Sequence, residues 1–563
     1  MVEVSYPGVY AVEVPPVTRA VTGASTSTAA FIGMAERGPT GQAILVTSLT
    51  EFFDRFGGFT SKEKLGIQGS LDNTVYLSYA VWSFFQNGGS QCYIVRIATD
   101  ADAANTIVTK SGKFSLEKTS KPLDKTTVTP EVKFAATQAP FGEAESPLSG
   151  DSMFKVWAKS RGTWGNNLEI VIGKSSEQIL VQKDGKFIKE NTFRLDVKQN
   201  GQFVESYDGI SMRNNHQSFV KTNINESSSL ISITLVSKDV SLPPEGKYRL
   251  AGGTAGKDLT SREIVRQLTE GTSVLDKISD ISLIAAPGFA DETGEVTNAG
   301  FRYAESHRNK LGDAFFIADV PKQVDTRDEG LKFIKSLNTG INGYGAVYFP
   351  WIKARDQTAV GKNPIVLLPP SGYIAGVYGR IDATRGVWKS PAGTEATIVG
   401  ALGLAINLTD KDQGVVNKAG LNVIRGFPGK GTLVWGARTP SPDAAWKYLS
   451  VRRMANFLKS SIYDGIQWAV FEPNDTPLWS ALKLNIEGFM RNLFAGGAFQ
   501  GASPDEAFFV KCDAETTTAT DQDNGLVNIL VGFAPLRPAE FIVIKLSQKL
   551  AQAENEAEAP PEE

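Results

Sequence analysis

The stretch FRYAESHRNKLGDAFFIADVP, residues 301–321, carries the clearest pattern in this chain. Its first half has the length and spacing of a helix, and DAFFIADVP is a short apolar run that predicts a buried strand. The alternation continues on both sides, in SREIVRQLTEG (261–271), ISDISLIAAPG (278–288), GLKFIKSLNTG (330–340) and YGAVYFPWIK (344–353). Strands that alternate with helices indicate an α/β layer whose sheet is partly parallel.

The first hundred residues contain a similar α/β pattern. AAFIGMA (29–35) predicts a buried strand, NTVYLSYAVWSFFQNGG (73–89) predicts a helix, and QCYIVRI (91–97) predicts a second strand. Residues 98–150 are rich in Lys, Thr, Ser and Pro and predict a loop-rich boundary. Residues 151–250 hold short alternating runs between Asn, Gly and Asp turns, which indicates an inserted β-rich domain.

The last part of the chain predicts long helices and short strands. Helices are expected at 443–465 and 476–497, and strands at IQWAVFEP (466–473), DEAFFVKCD (505–513) and LVNILVGFAP (526–535). Arg452, Arg453 and Lys459 on the first helix are candidates for contacts with an acidic partner. Composition alone favours the plainer interpretation, a solvated helix face.

Composition limits the class of protein. The chain has 563 residues, a net charge of −3, 41% hydrophobic and 21% charged residues, values that are ordinary for a multidomain globular protein. This balance does not favour nucleic acid as a partner. No apolar run approaches the ~20 residues that cross a bilayer, and no export signal is expected at the N-terminus. Cys92 and Cys512 are expected to be buried free thiols.

Motifs for catalysis or cofactor binding are incomplete. Only His216 and His307 could serve a catalytic triad, and neither lies near a G-x-S-x-G turn. GFPGKGT (426–432) and GGTAGKD (252–258) lack the first glycine and the Ser/Thr of a phosphate-binding loop, so both are interpreted as turns. The sequence therefore predicts no catalytic residue, no cofactor and no metal site.

Both ends of the chain contain strand-like segments joined to the body by Pro-rich or small-residue connectors. SYPGVYAVEVPP (5–16) is followed by VTGASTS, and EFIVIKLS (540–547) is preceded by PLRPA; 21–28 and 534–538 are expected to be soft joints. Such segments either fold back on their own domain, the plainer reading, or add to a neighbour's sheet edge. The candidate arm residues are Val9, Tyr10, Val12, Val14, Phe541, Ile542, Val543 and Ile544.

Several stretches resemble, in order, the contractile sheath proteins of phage tails and of phage tail-like injection systems. The similarity is densest after residue 421 and is closest there to the extracellular injection-system branch. The matching stretches include YPGVYAVEV (6–14), TSTAAFIGMAERGP (26–39), RGTWGNNLEI (161–170), ISLIAAPG (281–288), NVIRGFPGKGTLVWGARTP (422–440), SIYDGIQWAVFEPND (461–475), GAFQGASPDEAFFVKCD (497–513) and LRPAEFIVIKL (536–546).

The resemblance implies a fold of α/β and α+β domains with terminal arm strands. The implied division is an N-terminal exchange arm (1–20), an inner domain built from both chain ends (21–100 and 421–546, the latter with the C-terminal arm strand), an inserted β-rich outer domain (101–260), an α/β middle domain (261–420) and a disordered acidic tail (547–563).

The resemblance also implies function and partners. Sheath subunits stack with six-fold symmetry around an inner tube, exchange terminal strands with neighbours, and contract without nucleotide to drive the tube through a target envelope. The implied partners are other copies of the chain, the inner tube, and baseplate and tail terminator or cap proteins, without nucleic acid or membrane insertion. Assembly is expected in the bacterial cytoplasm. Lys483 and Arg491 are the candidates for facing the tube.

Two other classes stay open from the sequence. One is a non-contractile shell or adhesin-like assembly protein that shares the arms. The other is an α/β hydrolytic enzyme, which the scarcity of histidine and the incomplete phosphate loops make the weaker alternative.

Overall fold

The computed structural model describes residues 20–70, 72–109, 152–183, 186–359, 361 and 364–541. Its described part contains one eight-stranded sheet and four smaller sheets of two to four strands. The predicted mixture of α/β and α+β domains is confirmed. The described residues begin at 20 and end at 541, so most of both predicted arms lies outside them.

The first region supplies three strands and two helices. They are β1 (Ala29–Gly33), β2 (Ala43–Val46), α1 (Leu49–Phe56), α2 (Tyr76–Gln86) and β3 (Cys92–Arg96). The Ser48 hydroxyl accepts a hydrogen bond from the Glu51 N–H and so starts α1. The predictions of two strands around a helix at 29–97 are confirmed.

The β-rich region forms two sheets around its own core. Its elements are β4 (Asn105–Thr109), β5 (Ser152–Ala158), β6 (Leu168–Lys183), β7 (Lys186–Gln199), β8 (Gln202–Ile210), α3 (Val220–Ser227), β9 (Ile231–Leu235) and β10 (Gly246–Arg249). The sheets have the orders β4-β5-β9 and β10-β6-β7-β8. Within the predicted loop-rich boundary 98–150, the described residues include one strand, β4, whose apolar Ile107 and Val108 are buried.

The central region alternates helices and strands as the sequence predicts. Its elements are α4 (Ser261–Gln267), β11 (Leu283–Ala285), α5 (Glu295–Lys310), β12 (Phe315–Asp319), α6 (Arg327–Ser336), β13 (Gly345–Phe349), β14 (Ile352–Arg355), β15 (Ile365–Leu368), α7 (Ser371–Arg385), β16 (Gly403–Leu404), α8 (Asp410–Lys418), β17 (Leu421–Phe427) and β18 (Gly431–Val434).

The large sheet joins the first region to the central one. Its strand order is β18-β17-β13-β12-β11-β1-β3-β2, and the pairs from β17 through to β3 are parallel. The sheet takes strands from residues 21–100, 261–420 and 421–546, and the expected division of the chain into domains stays a prediction. β1 is buried on both faces, as is typical of a central strand in a parallel sheet covered by helices.

The C-terminal region is mostly helical. Its elements are α9 (Leu449–Gly465), α10 (Thr476–Ala495), α11 (Pro504–Ala507), β19 (Phe508–Lys511), α12 (Ala519–Asp523) and β20 (Leu530–Phe533). Short 3₁₀ turns occur at Thr163–Asn167, Val274–Lys277, Ala444–Trp446 and Gln467–Ala469. The strand predicted at 466–473 is wrong, because turn hydrogen bonds from Val470 N–H to Gln467 O (3.3 Å) and from Glu472 N–H to Ala469 O (3.2 Å) replace a ladder.

One buried carboxyl group ties the large sheet to α7. Asp319 ends β12, and it accepts hydrogen bonds from the backbone N–H (2.7 Å) and the hydroxyl (2.8 Å) of Ser371 at the start of α7. Burial raises the pKa of Asp319 to about 7, although the bonds from Ser371 act in the opposite direction. The folded chain therefore holds this proton to a higher pH than the unfolded chain does.

This proton linkage predicts a pH dependence. The stability that Asp319 contributes is complete below its unfolded pKa of about 4 and is lost as the pH rises from about 4 to about 7. Relative to Asp319→Asn, the free energy of unfolding of the wild type should fall by roughly 4 kcal/mol over this range. Urea unfolding of both chains from pH 4 to 8 measures it. Asp54→Asn, at an exposed position, is the control and should show a constant difference.

Candidate strand-acceptor sheet and terminal segments

A two-stranded antiparallel sheet lies near the C-terminus. β19 pairs with β20 in the register Phe508↔Phe533 to Lys511↔Leu530, and within the described residues neither strand has a further partner strand. Both outer edges therefore present backbone N–H and C=O groups that can pair with another strand. A two-stranded sheet is marginal without packing or further strands.

The packing of this sheet is one-sided. Phe508 and Val510 point into a core with Ile486 and Met490 of α10, which is why the pair forms at all. On the opposite face Phe509 covers Gly532, where a Cβ atom would stand 2.2 Å from the ring, and Phe509 stays 50% exposed. The outer face thus offers an apolar surface beside two edges that have no partner strand among the described residues between 20 and 541.

An ion pair fixes the start of the C-terminal segment. Arg438 Nε lies 2.9 and 3.1 Å from the two carboxylate oxygens of Glu540, and a second guanidinium nitrogen also bonds this carboxylate. The two side chains are 7% and 15% exposed. Arg438 is itself held to the large sheet, since its backbone N–H donates to Asn422 on β17 (2.7 Å). Glu540 is therefore fixed relative to the large sheet.

A cleft of 940 Å³ lies beside this ion pair. Its lining includes Trp388, Trp435, Ala437, Leu536 and Phe541, together with polar groups from α8. Phe541, the last described residue, is one of the predicted arm residues and is exposed. The other predicted arm residues (Val9, Tyr10, Val12, Val14, Ile542, Val543 and Ile544) lie outside the described residues.

The segment 21–28 is docked on α9, so the prediction of a soft joint there is wrong. Val21 is buried against Gly465, the Ala24 N–H donates to Ser461 Oγ (2.9 Å), and Arg453 donates to the Thr26 carbonyl (2.9 Å). Small residues allow this close contact, and the sequence alone does not separate that role from flexibility. Residues 21–28 are therefore a fixed part of the fold.

Arg452, Arg453 and Lys459 of α9 bind groups inside the chain. Both predicted roles, contact with an acidic partner and a solvated helix face, are therefore wrong. Arg453 bonds the Asp382 carboxylate of α7, and each of these two side chains is only 3% exposed. Arg452 donates to the Asn342 carbonyl (2.7 Å), and Lys459 donates to the Leu311 carbonyl (2.6 Å). Burial lowers the pKa of Lys459 to about 8. These side chains fasten α9 to the central region.

The helix predicted to face a tube is present as α10. It buries Leu478, Leu482 and Ile486 and leaves the opposite side to solvent. Lys483 is partly exposed, with its Nζ 3.9 Å from Glu487 Oε1, and Arg491 is exposed. Both cations lie on the surface of α10, and the prediction that they face a tube stays a prediction.

The other chemical motifs have structural roles in the described residues. His307 is buried with its Nδ1 2.7 Å from Asp313, and GFPGKGT forms the turn between β17 and β18. Cys92 and Cys512 are buried free thiols, as predicted. No group of three or more His, Cys, Asp or Glu side chains in the described ranges is placed to hold a metal ion. None of the described helices has the length and apolar character needed to span a membrane.

Sequence reasoning missed the residues that hold the terminal segments. Arg438, Glu540 and Asp382 were not candidates, because single charged residues carry no spacing signal. Arg438 and Glu540 do lie within the two stretches, 422–440 and 536–546, in which the family resemblance is dense. Their place within these two stretches is the signal by which the sequence could have identified them.

Comparison with known proteins defines the class as a structural protein of phage tails. The family model of the phage tail sheath protein central domain matches residues 269–440, and that of the phage tail sheath C-terminal domain matches residues 441–549. The chain belongs to the phage tail sheath family, which is a family of structural proteins.

Individual relatives agree with this assignment. The tail sheath protein of Vibrio phage KVP40 is 29% identical over 180 residues, which are 31% of this chain and 26% of that protein, so the chain matches about a quarter of its length. The PVC sheath complex of an extracellular contractile injection system, in its contracted state, has a TM-score of 0.54 at 20% identity and 98% and 99% coverage. A sheath tail protein from Listeria innocua has a TM-score of 0.56 at 13% identity and 92% and 96% coverage. The two structures show the same fold.

The buried Arg453–Asp382 pair predicts a large effect on stability. Asp382→Asn leaves the Arg453 guanidinium buried without its counter-charge, and we expect the free energy of unfolding to fall by about 3–5 kcal/mol. Arg385→Gln, which removes the exposed pair with Glu395, should cost less than about 1 kcal/mol. Urea unfolding compares the two variants, and equal effects would contradict the structural role given to Arg453.

The Arg438–Glu540 pair predicts a local effect. Glu540→Gln should release residues 534–541 and leave the rest of the fold unchanged, because the contact joins the last described residues to the large sheet. Amide hydrogen exchange of the unassembled chain should become at least about tenfold faster in that segment, as loss of ~1.4 kcal/mol of local stability produces. Glu515→Gln, at an exposed ion pair, is the matched control. Unchanged exchange at 534–541 would show that the pair does not hold the segment.

Proposed function

We propose that this chain is the subunit of a contractile sheath. Copies polymerise around an inner tube, linked by exchange of their terminal strands, and the sheath shortens to drive the tube through a target envelope. The observation that carries the proposal is the β19–β20 sheet, whose edges are unpaired in the described residues, in a chain with strand-like segments at both ends. A donated strand has the backbone groups to fill such an edge.

The energetics favour exchange in a polymer over exchange between two isolated copies. About six ladder hydrogen bonds contribute roughly 3–9 kcal/mol, and ordering about six residues costs roughly 6–12 kcal/mol. One donated strand alone thus gains little. In an array, many contacts form together and the effective concentration of each strand is high, so the exchanged strands hold.

The connections to the body support a mechanical role. Segment 21–28 and residue Glu540 are both fastened, the first to α9 and the second to Arg438. In this proposal the subunit moves as a rigid body, and the rotation is taken up outside these two fastened points, before Val21 and after Glu540. Backbone ladders persist during such a rotation because they do not depend on the body's orientation.

The remaining partners follow from the family. The copies form a six-fold sheath, α10 faces the inner tube with Lys483 and Arg491, and baseplate and terminator or cap proteins bind the two ends. The β-rich region 101–260 faces outward. The particle, a phage tail or a tail-like injection system, assembles in the bacterial cytoplasm. The role is structural, and we propose no catalytic step.

Electron microscopy tests the function directly. The chain is co-expressed with the tube protein of the same particle, and the particles are imaged before and after exposure to acid or urea. Tubular sheaths of two lengths, the shorter one wider, are the expected result. Sheaths of one length under all conditions would indicate a non-contractile shell, and monomers throughout would overturn the proposal.

Deletion of the N-terminal segment separates folding from assembly. Removing residues 1–18 should leave the circular dichroism spectrum of the unassembled chain unchanged, because the described fold begins after them. The same deletion should abolish sheaths. Removing the acidic residues 552–563 is the control and should leave sheaths intact. Normal sheaths from the 1–18 deletion would refute strand exchange through this end.

A further inference from the structure

The loop between α9 and α10 (466–475) has an exposed apolar tip, Val470–Phe471. Phe471 is fully exposed, at 102% of its reference area, and Val470 is 58% exposed. Phe471 also has a φ angle of +70°, a region that bulky residues rarely occupy. A phenylalanine that is both strained and fully exposed is not explained by the stability of the single chain.

The loop around the tip is well fixed. The 3₁₀ turn Gln467–Ala469 precedes it, and the hydrogen bonds of Val470 and Glu472 to that turn hold its two sides. On the far side Asp475 accepts the Leu478 N–H and starts α10. The ring of Phe471 is therefore presented by a rigid support, as expected of a binding anchor.

The tip lies beside the acceptor sheet. Trp468 and Ala469 of its loop pack in one small core with Cys512, which follows β19, and Ile529, which precedes β20. Asn474 donates to the Leu526 carbonyl (3.1 Å) on the same connection. The exposed side chains of Leu526 and Leu530 continue the apolar surface from there. The tip, these two leucines and the open sheet form adjacent parts of one surface.

Charge favours one of the two terminal segments as the occupant. The surroundings of the tip are acidic, with Glu472, Asp475 and Asp523 exposed, and the nearby Lys511 is paired with Glu515. The C-terminal segment FIVIKLSQKLA (541–551) is apolar, carries two lysines and has no acidic residue. The N-terminal segment 1–19 carries two glutamates. Complementary charge therefore selects residues 541–551.

We propose that the Val470–Phe471 tip is a docking site for residues 541–551 of a neighbouring copy of this chain. The proposal rests on the proposed function and adds a side-chain anchor to the backbone pairing. The neighbour supplies the segment, because residues 534–540 of the same chain lead from β20 to Arg438 on the large sheet and not back to the tip. Phe471 then packs on the apolar side chains of the incoming segment, and its acidic surroundings face Lys545 and Lys549.

Phe471→Gly separates docking from folding. Glycine accepts a positive φ without strain, so the melting temperature of the unassembled chain should be unchanged or higher. The yield of sheath assembled with the tube should fall at least about tenfold, as loss of an aromatic anchor produces. Phe471→Ala should show the same loss of assembly, and its control, Phe203→Ala at an exposed phenylalanine of β8, should assemble normally. If Phe471→Gly lost its fold, Phe471 would be a stabilising residue and not a docking anchor, and if Phe471→Gly assembled normally, the anchor would not be needed. Either result would overturn the proposal.

Disulfide cross-linking identifies the occupant. In assembled sheaths, Phe471→Cys with Val543→Cys should form cross-links between chains on oxidation, and each single variant gives the background because Cys92 and Cys512 are buried. Cross-links of Phe471→Cys with Val12→Cys, but not with Val543→Cys, would show that the N-terminal segment is the occupant. Cross-links within one chain would show that the segment folds back. Either result overturns the proposal.

The two proposals fail differently. If the unchanged chain builds no sheath with its tube, the proposed function is wrong. If the unchanged chain builds sheaths and Phe471→Gly builds them equally well, the function stands and the docking site is wrong.

Discussion

The pairing of β1 with β11 is the constraint on which the rest of the structure depends. It joins Ala29–Phe31 to Leu283–Ala285, residues that are more than 250 positions apart in the chain. Because β1 also pairs with β3 in parallel, the strands on both sides of the β-rich region belong to one sheet. The β-rich region is therefore an insertion between β3 and β11, the two strands that flank β1 in the sheet, and it has a core of its own.

Buried polar contacts couple the C-terminal region to that sheet. Arg453 bonds Asp382 of α7 and the carbonyl of Thr26, which connects α9, the central region and the incoming N-terminal segment at one residue. Such a buried pair costs desolvation and contributes little net stability, but it is unfavourable to break. Its effect is to fix orientation. A force applied through the N-terminal segment thus reaches α9 and the large sheet together.

The sequence predicted the parts of this fold that depend on periodicity. The alternation in 261–353 gave the parallel strands, and the spacing in 476–497 gave α10, because burial on one or both faces leaves a repeating pattern. It could not show which strands pair across the insertion, because strand pairing over more than 250 positions leaves no local pattern. It read 466–473 as a strand, since Ile466, Trp468 and Val470 alternate, although turns and a small core place them. The contacts that define the site, such as Arg438 with Glu540, depend on tertiary distance and leave no local pattern.

The placement of donor and acceptor surfaces restricts the kind of assembly. The open edges of β19 and β20 and the two chain ends are different surfaces of one chain, so a contact between them is head-to-tail and not self-complementary. Head-to-tail contacts close into rings or continue into helices, whereas a two-fold dimer would use the same patch on both copies. Short strands of four residues and the charged Lys511 at the edge limit uncontrolled pairing. A long, flat, apolar edge would aggregate. A short edge that also needs a side-chain anchor beside it accepts only a strand that fits both the edge and the anchor.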